Sequence, residues 1–276
     1  MTTTERTHLS LVQEYFRATV DYWDDVYAEG TLNGALYRVR AEKVLDLVAC
    51  AGRNPESARV LEIGCGAGRT SVALAGGGYL VDALDVVPEM LEHVRQRANA
   101  TGVSDRVALH TGDVNRLQFA NGTFDIVLAI GVLEWSSSLE GPLAEMARVL
   151  KPGGHLVVNV DNALALHCLL DPRLSPLVGA AKRALRPALE RLRVLRREAR
   201  PGRCAPWRLD GALHQAGLSK VRGLTCGFGP FTLLGRRILS DRLGLRLHEA
   251  LQKRADRELP AVRAGGETYL TLSVRT

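Results

Sequence analysis

Two periods of hydrophobicity alternate along the middle of this chain. Short apolar runs predict strands near 59–63, 80–84, 107–110, 124–130 and 154–160. Between them apolar residues recur at helical spacing near 68–76, 88–101 and 139–149. Pro88 suits a helix start, where its missing N–H has no partner to lose. Strand and helix in alternation predict a mostly parallel sheet with helices on both faces.

The flanks read differently. Residues 9–28 predict one helix with an aromatic stripe of Tyr15, Phe16, Tyr22, Trp23 and Tyr27. Tyr15, Tyr22 and Trp23 fall at i, i+7 and i+8, on one face, and Gly30 ends the helix. That face either docks the helix on the sheet or lines a substrate pocket, and the two roles are compatible. A second amphipathic helix is expected over 35–50. Residues 162–203 hold no convincing strand; a helix starts at Ser175-Pro176 and breaks at Pro187. A helix over 209–218, a strand over 219–227 and a final alternating strand over 268–274 complete the pattern. The expected division is a helical cap at 1–52, a core at 53–161, a basic helical insertion acting as a lid at 162–206, and the rest of the core at 207–276. That last part includes a second helical insertion, 231–258.

The first core strand runs into Gly64-Cys65-Gly66-Ala67-Gly68. A dinucleotide-binding turn would have a small residue next, and Arg69 stands there instead. Glu62, just before the turn, would repel a pyrophosphate but accept a hydrogen bond from an ammonium. The expected ligand is an adenosine carrying an amino acid. Asp85 lies 21 residues after Gly64, at the end of the second strand, where a carboxylate can accept both ribose hydroxyls.

Glu62-x-Gly64-x-Gly66-x-Gly68 resembles the first motif of class I S-adenosylmethionine-dependent methyltransferases. Gly112-Asp113-Val114, Phe124 through Glu134, and Leu150-Lys151-Pro152-Gly153-Gly154 resemble later motifs in the family's order, over roughly residues 44–160. The resemblance implies an α/β, Rossmann-like, seven-stranded, mostly parallel sheet with an N-terminal helical lid and helical insertions after strands five and six. It implies S-adenosylmethionine as cofactor and S-adenosylhomocysteine as product. Glu62, Gly64, Cys65, Gly66, Gly68, Asp85, Val86, Asp113, Val114 and Ile130 would then contact the cofactor, with Asp113 at the adenine amino group. Tyr15-Phe16, Tyr22 through Tyr27, and Arg40 further resemble the N-terminal region of magnesium-protoporphyrin O-methyltransferases. That family has a histidine after strand four where this chain has Glu134.

Methyl transfer from a sulfonium is an in-line displacement, so the protein mainly supplies alignment and a dry cavity. A hydroxyl acceptor also needs a base. Glu134 and His167 are the catalytic candidates, with Asp161 nearby in sequence. Glu134 could instead cap a helix or touch the donor, and His167 could simply pack. Tyr15, Tyr22, Trp23 and Trp135 are the expected substrate-binding residues. The loop Ile130-Gly131-Val132-Leu133 lacks the Asn/Asp-Pro-Pro-aromatic tetrad of enzymes that methylate base amino groups, and it has no cysteine nucleophile. Both nucleic-acid classes are thereby disfavoured.

Composition adds a few bounds. No apolar run reaches 18 residues, so no membrane-spanning helix is expected. The N-terminus lacks the pattern of a secretion signal, and five dispersed cysteines fit reduced thiols, so a cytoplasmic protein is expected. The cysteines show no zinc-like spacing, and no metal site is expected. The net charge of +6 is concentrated: residues 163–203 hold ten Lys or Arg and three acids. That segment reads as the solvated face of a lid, or as a contact for an acidic substrate or an anionic membrane. No aromatics interleave with its arginines between 173 and 203, which disfavours nucleic acid. The expected activity is O-methylation of a partly apolar small molecule of natural-product, lipid or quinone type. N- or C-methylation, and a non-catalytic S-adenosylmethionine-binding module acting through its basic surface, are the alternatives.

Overall fold

The computed structural model describes residues 3–172, 174–175, 201–234, 236–260 and 262–276. At its centre is a sheet of β1 (Arg59–Ile63), β2 (Leu80–Asp85), β3 (Val107–Thr111), β4 (Phe124–Ala129), β5 (Leu150–Asn162), β7 (Leu218–Cys226) and β10 (Thr268–Arg275), in the order β3-β2-β1-β4-β5-β10-β7. The two-residue β6 (Arg203–Cys204) pairs with β5 and makes the sheet eight-stranded, one more than expected. β10 runs antiparallel to both β5 and β7; the other pairs are parallel.

Parallel strands need covered crossovers, and α4 (Arg69–Gly76), α5 (Pro88–Ala100), α6 (Glu140–Val149) and α8 (Pro206–Gln215) supply them. β1 is buried on both faces, as its unbroken run Val60-Leu61-Glu62-Ile63 requires. Leu61 and Ile63 pack with Phe124, Val127, Leu143 and Met146, while Val60 faces Val44, Leu47, Leu74 and Leu128 on the other side. Strand order reverses between β1 and β4, which opens a crevice at the carboxyl ends of those two strands. Asp82 is a buried carboxylate inside β2. Its carboxylate accepts from Arg59 Nε at 2.7 Å and Nη2 at 3.0 Å, and lies 2.8 Å from His110 Nε2, so it ties β1, β2 and β3 together.

The N-terminal cap is three helices: α1 (Thr3–Ala18), α2 (Val20–Asp25) and α3 (Leu32–Cys50). The single helix expected over 9–28 is therefore broken. At Thr19 the hydroxyl donates to Tyr15 O at 2.9 Å and the backbone leaves the helical well. α3 starts earlier than expected because Thr31 caps it, accepting from Gly34 N at 3.2 Å. β5 also begins earlier, directly off α6.

The insertion expected to be helical over 231–258 is only partly so. A hairpin of β8 (Thr232–Leu233) and β9 (Arg236–Arg237) precedes α9 (Asp241–Asp256). Of the basic insertion, the described residues comprise α7 (Leu166–Leu170), the turn to Ser175, β6 and the start of α8. The helix expected from Ser175-Pro176, its break at Pro187 and most of the arginines lie outside the described residues. Among the described residues no helix is long and apolar enough to cross a membrane.

Candidate active site

The glycine turn forms because three residues must take left-handed backbone angles: φ is 67° at Gly64, 51° at Gly66 and 77° at Gly68. Gly64 and Cys65 both donate to Leu84 O, at 2.7 and 3.1 Å, which pulls the turn over the end of β2. A Cβ on Gly64 would lie 2.5 Å from Val132 Cγ2, whereas one on Gly66 would meet nothing within 4 Å. The middle of the turn therefore presents bare backbone to the cavity.

Asp85 closes the other side. Its Oδ2 accepts from Gly66 N and its Oδ1 from Val87 N, both at 2.9 Å. Burial pushes its carboxyl up and these N–H groups pull it back. Each oxygen keeps lone-pair capacity for a ribose hydroxyl. Glu62 is buried beneath the turn and accepts a hydrogen bond from Ser71 Oγ. Burial pushes it up to about 7, against the pull of Ser71 and Thr70. Burial also pushes the Cys65 thiol well above its usual range. Asp113 holds Asn115 through its backbone N at 3.0 Å and its side-chain amide at 2.8 Å, both on Oδ1.

These residues line one cavity of about 810 Å³ at the carboxyl ends of the strands. Glu62, Gly64, Cys65, Gly66, Gly68, Asp85, Val86, Asp113, Val114 and Ile130 all face it, as do Glu134, Trp135, Tyr15 and Trp23. Tyr22 and His167 do not. Tyr22 is 39% exposed and stacks edge-on against Trp23 at 5.2 Å, while its hydroxyl accepts from Asn33 Nδ2 at 2.6 Å. It supports the cavity wall from outside. His167 is a correction of substance. Its ring is buried against Cys168 Sγ at 3.3 Å, and burial, with Arg203 nearby, pulls it down to about 4. With its ring enclosed and outside the cavity lining, His167 is not placed to take a proton from an acceptor there.

Above the glycine turn stands an aromatic wall. Trp135 meets Tyr15 and Phe16, each at 5.0 Å between ring centroids, and Trp23 bridges from Phe16 to Tyr37, each at 5.6 Å. His8 Nε2 lies 2.7 Å from Trp135 O, which ties α1 to the loop after β4.

Beside the wall is a cluster that the sequence reading largely missed. Arg40 of α3 lies 4.7 Å over the Tyr37 ring and interacts with Glu134, Asp161 and Glu267. Burial works against its charge, but Tyr27, Tyr37 and Glu134 around it hold it firmly cationic. Burial raises all three carboxyls, Glu267 to about 8, and Arg40 pulls each back down. Asp161 further raises Glu134 and Glu267. Glu134 sits on a single turn of 3₁₀ helix, Leu133–Trp135, and is 8% exposed. Its Oε2 has no hydrogen-bond partner among the described residues. The loop that carries it is fixed from below, with Gly131 N donating to Asn159 Oδ1 at 2.7 Å. Tyr37 and Arg40 share a helix face by their spacing, which was a usable signal. Glu267 had none: it reaches the site because β10 pairs Thr268 with Asp161. Among the described residues no group of three or more His, Cys, Asp or Glu is placed to hold a metal ion.

Residues 61–158 match the methyltransferase domain family. A malonyl-[acyl-carrier protein] O-methyltransferase of Erwinia pyrifoliae is 38% identical over 99 residues, 36% of this chain and 36% of that protein. Methyltransferase GfsG of Streptomyces halstedii is 33% identical over 138 residues, 50% of this chain and 48% of that one. The chain thus spans about a third to a half of the length of these curated relatives. The crystal structure of magnesium protoporphyrin IX methyltransferase from Synechocystis PCC 6803 with bound S-adenosylhomocysteine superposes with a TM-score of 0.64, at 17% identity, over 97% of this chain and 99% of that one. This likeness extends the shared fold well beyond the matched domain. Residues 61–158 thus resemble a methyltransferase domain, and the fold of the chain is that of solved S-adenosylmethionine-dependent methyltransferases.

Proposed function

We propose that this protein transfers the methyl group of S-adenosylmethionine to a hydroxyl oxygen of a partly apolar small molecule, with Glu134 as the base. The observation that carries the reading is the Glu134 carboxylate: nine-tenths buried, facing the cavity, with one oxygen unpartnered. The cavity's other end supports the cofactor. Bare backbone at Gly66, the two-armed carboxylate of Asp85 and the buried carboxylate of Glu62 suit an adenosine with an amino-acid tail. Asp113, Val114, Val86 and Ile130 would then enclose the base, and Cys65 and Gly68 the tail side of the turn.

When bound, S-adenosylmethionine supplies a methyl group already activated on a sulfonium. The chain's own residues align, dry and deprotonate. Tyr15, Phe16, Trp23 and Trp135 hold the apolar part of the acceptor and exclude water. The Glu134 carboxylate would take the hydroxyl proton as the acceptor oxygen takes the methyl group from the sulfonium. Burial and the neighbouring Asp161 raise the affinity of Glu134 for that proton, which suits a base working near neutrality. Arg40 keeps it ionised enough to act. The name of the Erwinia relative, an O-methyltransferase, favours oxygen as the acceptor atom.

The test uses methyl-labelled S-adenosylmethionine with a panel of hydrophobic phenols, alcohols and carboxylates. Glu134→Gln keeps the shape and removes the base. Turnover on hydroxyl acceptors should fall roughly 10²–10⁴-fold with S-adenosylhomocysteine affinity unchanged. Wild-type turnover should fall as pH drops below the raised carboxyl pKa. Undiminished turnover by the variant on a hydroxyl acceptor, or methylation of carboxylates alone, would overturn the role of Glu134.

A further inference from the structure

We propose that the surface formed by α7, the β8–β9 hairpin and the first two turns of α9 seats this protein on an anionic lipid surface. The patch combines two features that water does not favour together. Leu170, Leu234 and Ile238 are 62%, 57% and 60% exposed, and Leu169, Leu233, Leu243 and Leu247 are exposed beside them. Arginines are interleaved with these side chains at 236, 237, 242 and 246. From Arg236 to Arg257 the chain holds seven Lys or Arg against Asp241, Glu249 and Asp256. Two of those acids are engaged already, Asp241 with Arg237 at 3.2 Å and Asp256 with Lys43 at 2.9 Å.

The parts of the patch are held together by design of the fold. Asp171, fully buried at the end of α7, accepts from Thr232 Oγ1 at 2.7 Å and from Leu234 N at 3.0 Å. Leu234 is set at a left-handed φ of 51°. β5 and β7 both run antiparallel to β10, so α7 and the hairpin leave the sheet at the same end, where the cavity lies.

The chemistry selects the occupant. Exposed branched side chains enter acyl chains while arginines at their edge meet anionic headgroups. A second copy of this chain would bring arginine against arginine. Nucleic acid would find no ring to stack on, because every large exposed apolar side chain described in the patch is Leu or Ile.

The proposal is independent of Glu134 and is tested without turnover. The full chain is floated with vesicles of phosphatidylcholine alone or mixed with phosphatidylglycerol. Wild type should float with the anionic vesicles and not with phosphatidylcholine, and the bound fraction should fall with salt. Arg236→Glu/Arg237→Glu and Leu234→Glu/Ile238→Glu should each bind about tenfold more weakly or worse. Titration with S-adenosylhomocysteine verifies that both variants remain folded. Absence of wild-type binding, equal binding to neutral vesicles, or binding untouched by both variants would overturn the proposal. So would retention of a DNA or RNA duplex with no vesicle binding, or a dimer that both variants dissolve.

Discussion

Gly64 shows how little freedom single positions have here. Its φ is left-handed, and a Cβ would sit 2.5 Å from a β-branched side chain that cannot swing away. Gly64→Ala should lose about 1–2 kcal/mol from the backbone term alone, plus the collision with Val132, and should weaken S-adenosylhomocysteine binding. Adding Val132→Ala should restore the collision part and leave the backbone part, as read by chemical denaturation of the two variants. Glu267 makes a different kind of prediction. Burial pushes its carboxyl from the ordinary value to about 8, so its folded form holds a proton that the unfolded chain releases. The stability it contributes is present below the ordinary carboxylate pKa and lost as pH rises through about 8. Glu267→Gln should therefore gain melting temperature relative to wild type as pH goes from about 5 to about 8. A constant difference across that range would show that Glu267 titrates normally. At this scale the cofactor side was legible and the acceptor side was not. Gly64, Gly66, Gly68 and Asp85 lie at fixed spacings along one βαβ unit. Arg40 meets Glu134, and Glu267 meets Arg40 and Asp161, only through helix docking and the register of β10 on β5. His167 lies one turn from the right strand end, but its side chain points into packing.

Elements follow the same logic. The core strands and α4 to α6 were legible because period and length agree with burial on both faces. The break at Thr19 was not, since the aromatic stripe continues across it and the cause is one hydroxyl bonding back to Tyr15 O. The β8–β9 hairpin has strands of two residues, too short to show any period, and Leu and Arg there read equally as helix. What defines it is Asp171, 61 and 63 residues away in sequence, satisfying Thr232 and Leu234. Asp171→Ala removes two hydrogen bonds to a buried carboxylate and should cost about 1–3 kcal/mol. Limited proteolysis should then cut first within 231–240, with the core fragment surviving. Uniform protection of that stretch in the variant would mean that the hairpin is held by its own contacts.

For the whole molecule, alternation of strand and helix was enough to specify a parallel sheet, and the reversal of strand order specified where a ligand enters. The resemblance carried by the glycine motif then named the ligand. The final β10 explains why the C-terminal part belongs to the same sheet: it is inserted between β5 and β7 and brings Thr268 and Glu267 to the cavity rim. The central claim is that this cavity takes S-adenosylmethionine through the glycine turn and Asp85. Calorimetric titration of wild type and Asp85→Ala with S-adenosylhomocysteine tests it directly. Two hydrogen bonds to an ionised carboxylate are worth roughly 3 kcal/mol together, or about 100-fold in affinity. Micromolar binding by wild type, weakened about 100-fold in a folded Asp85→Ala, is the expected result. No binding by folded wild type, or equal binding by both proteins, would contradict it.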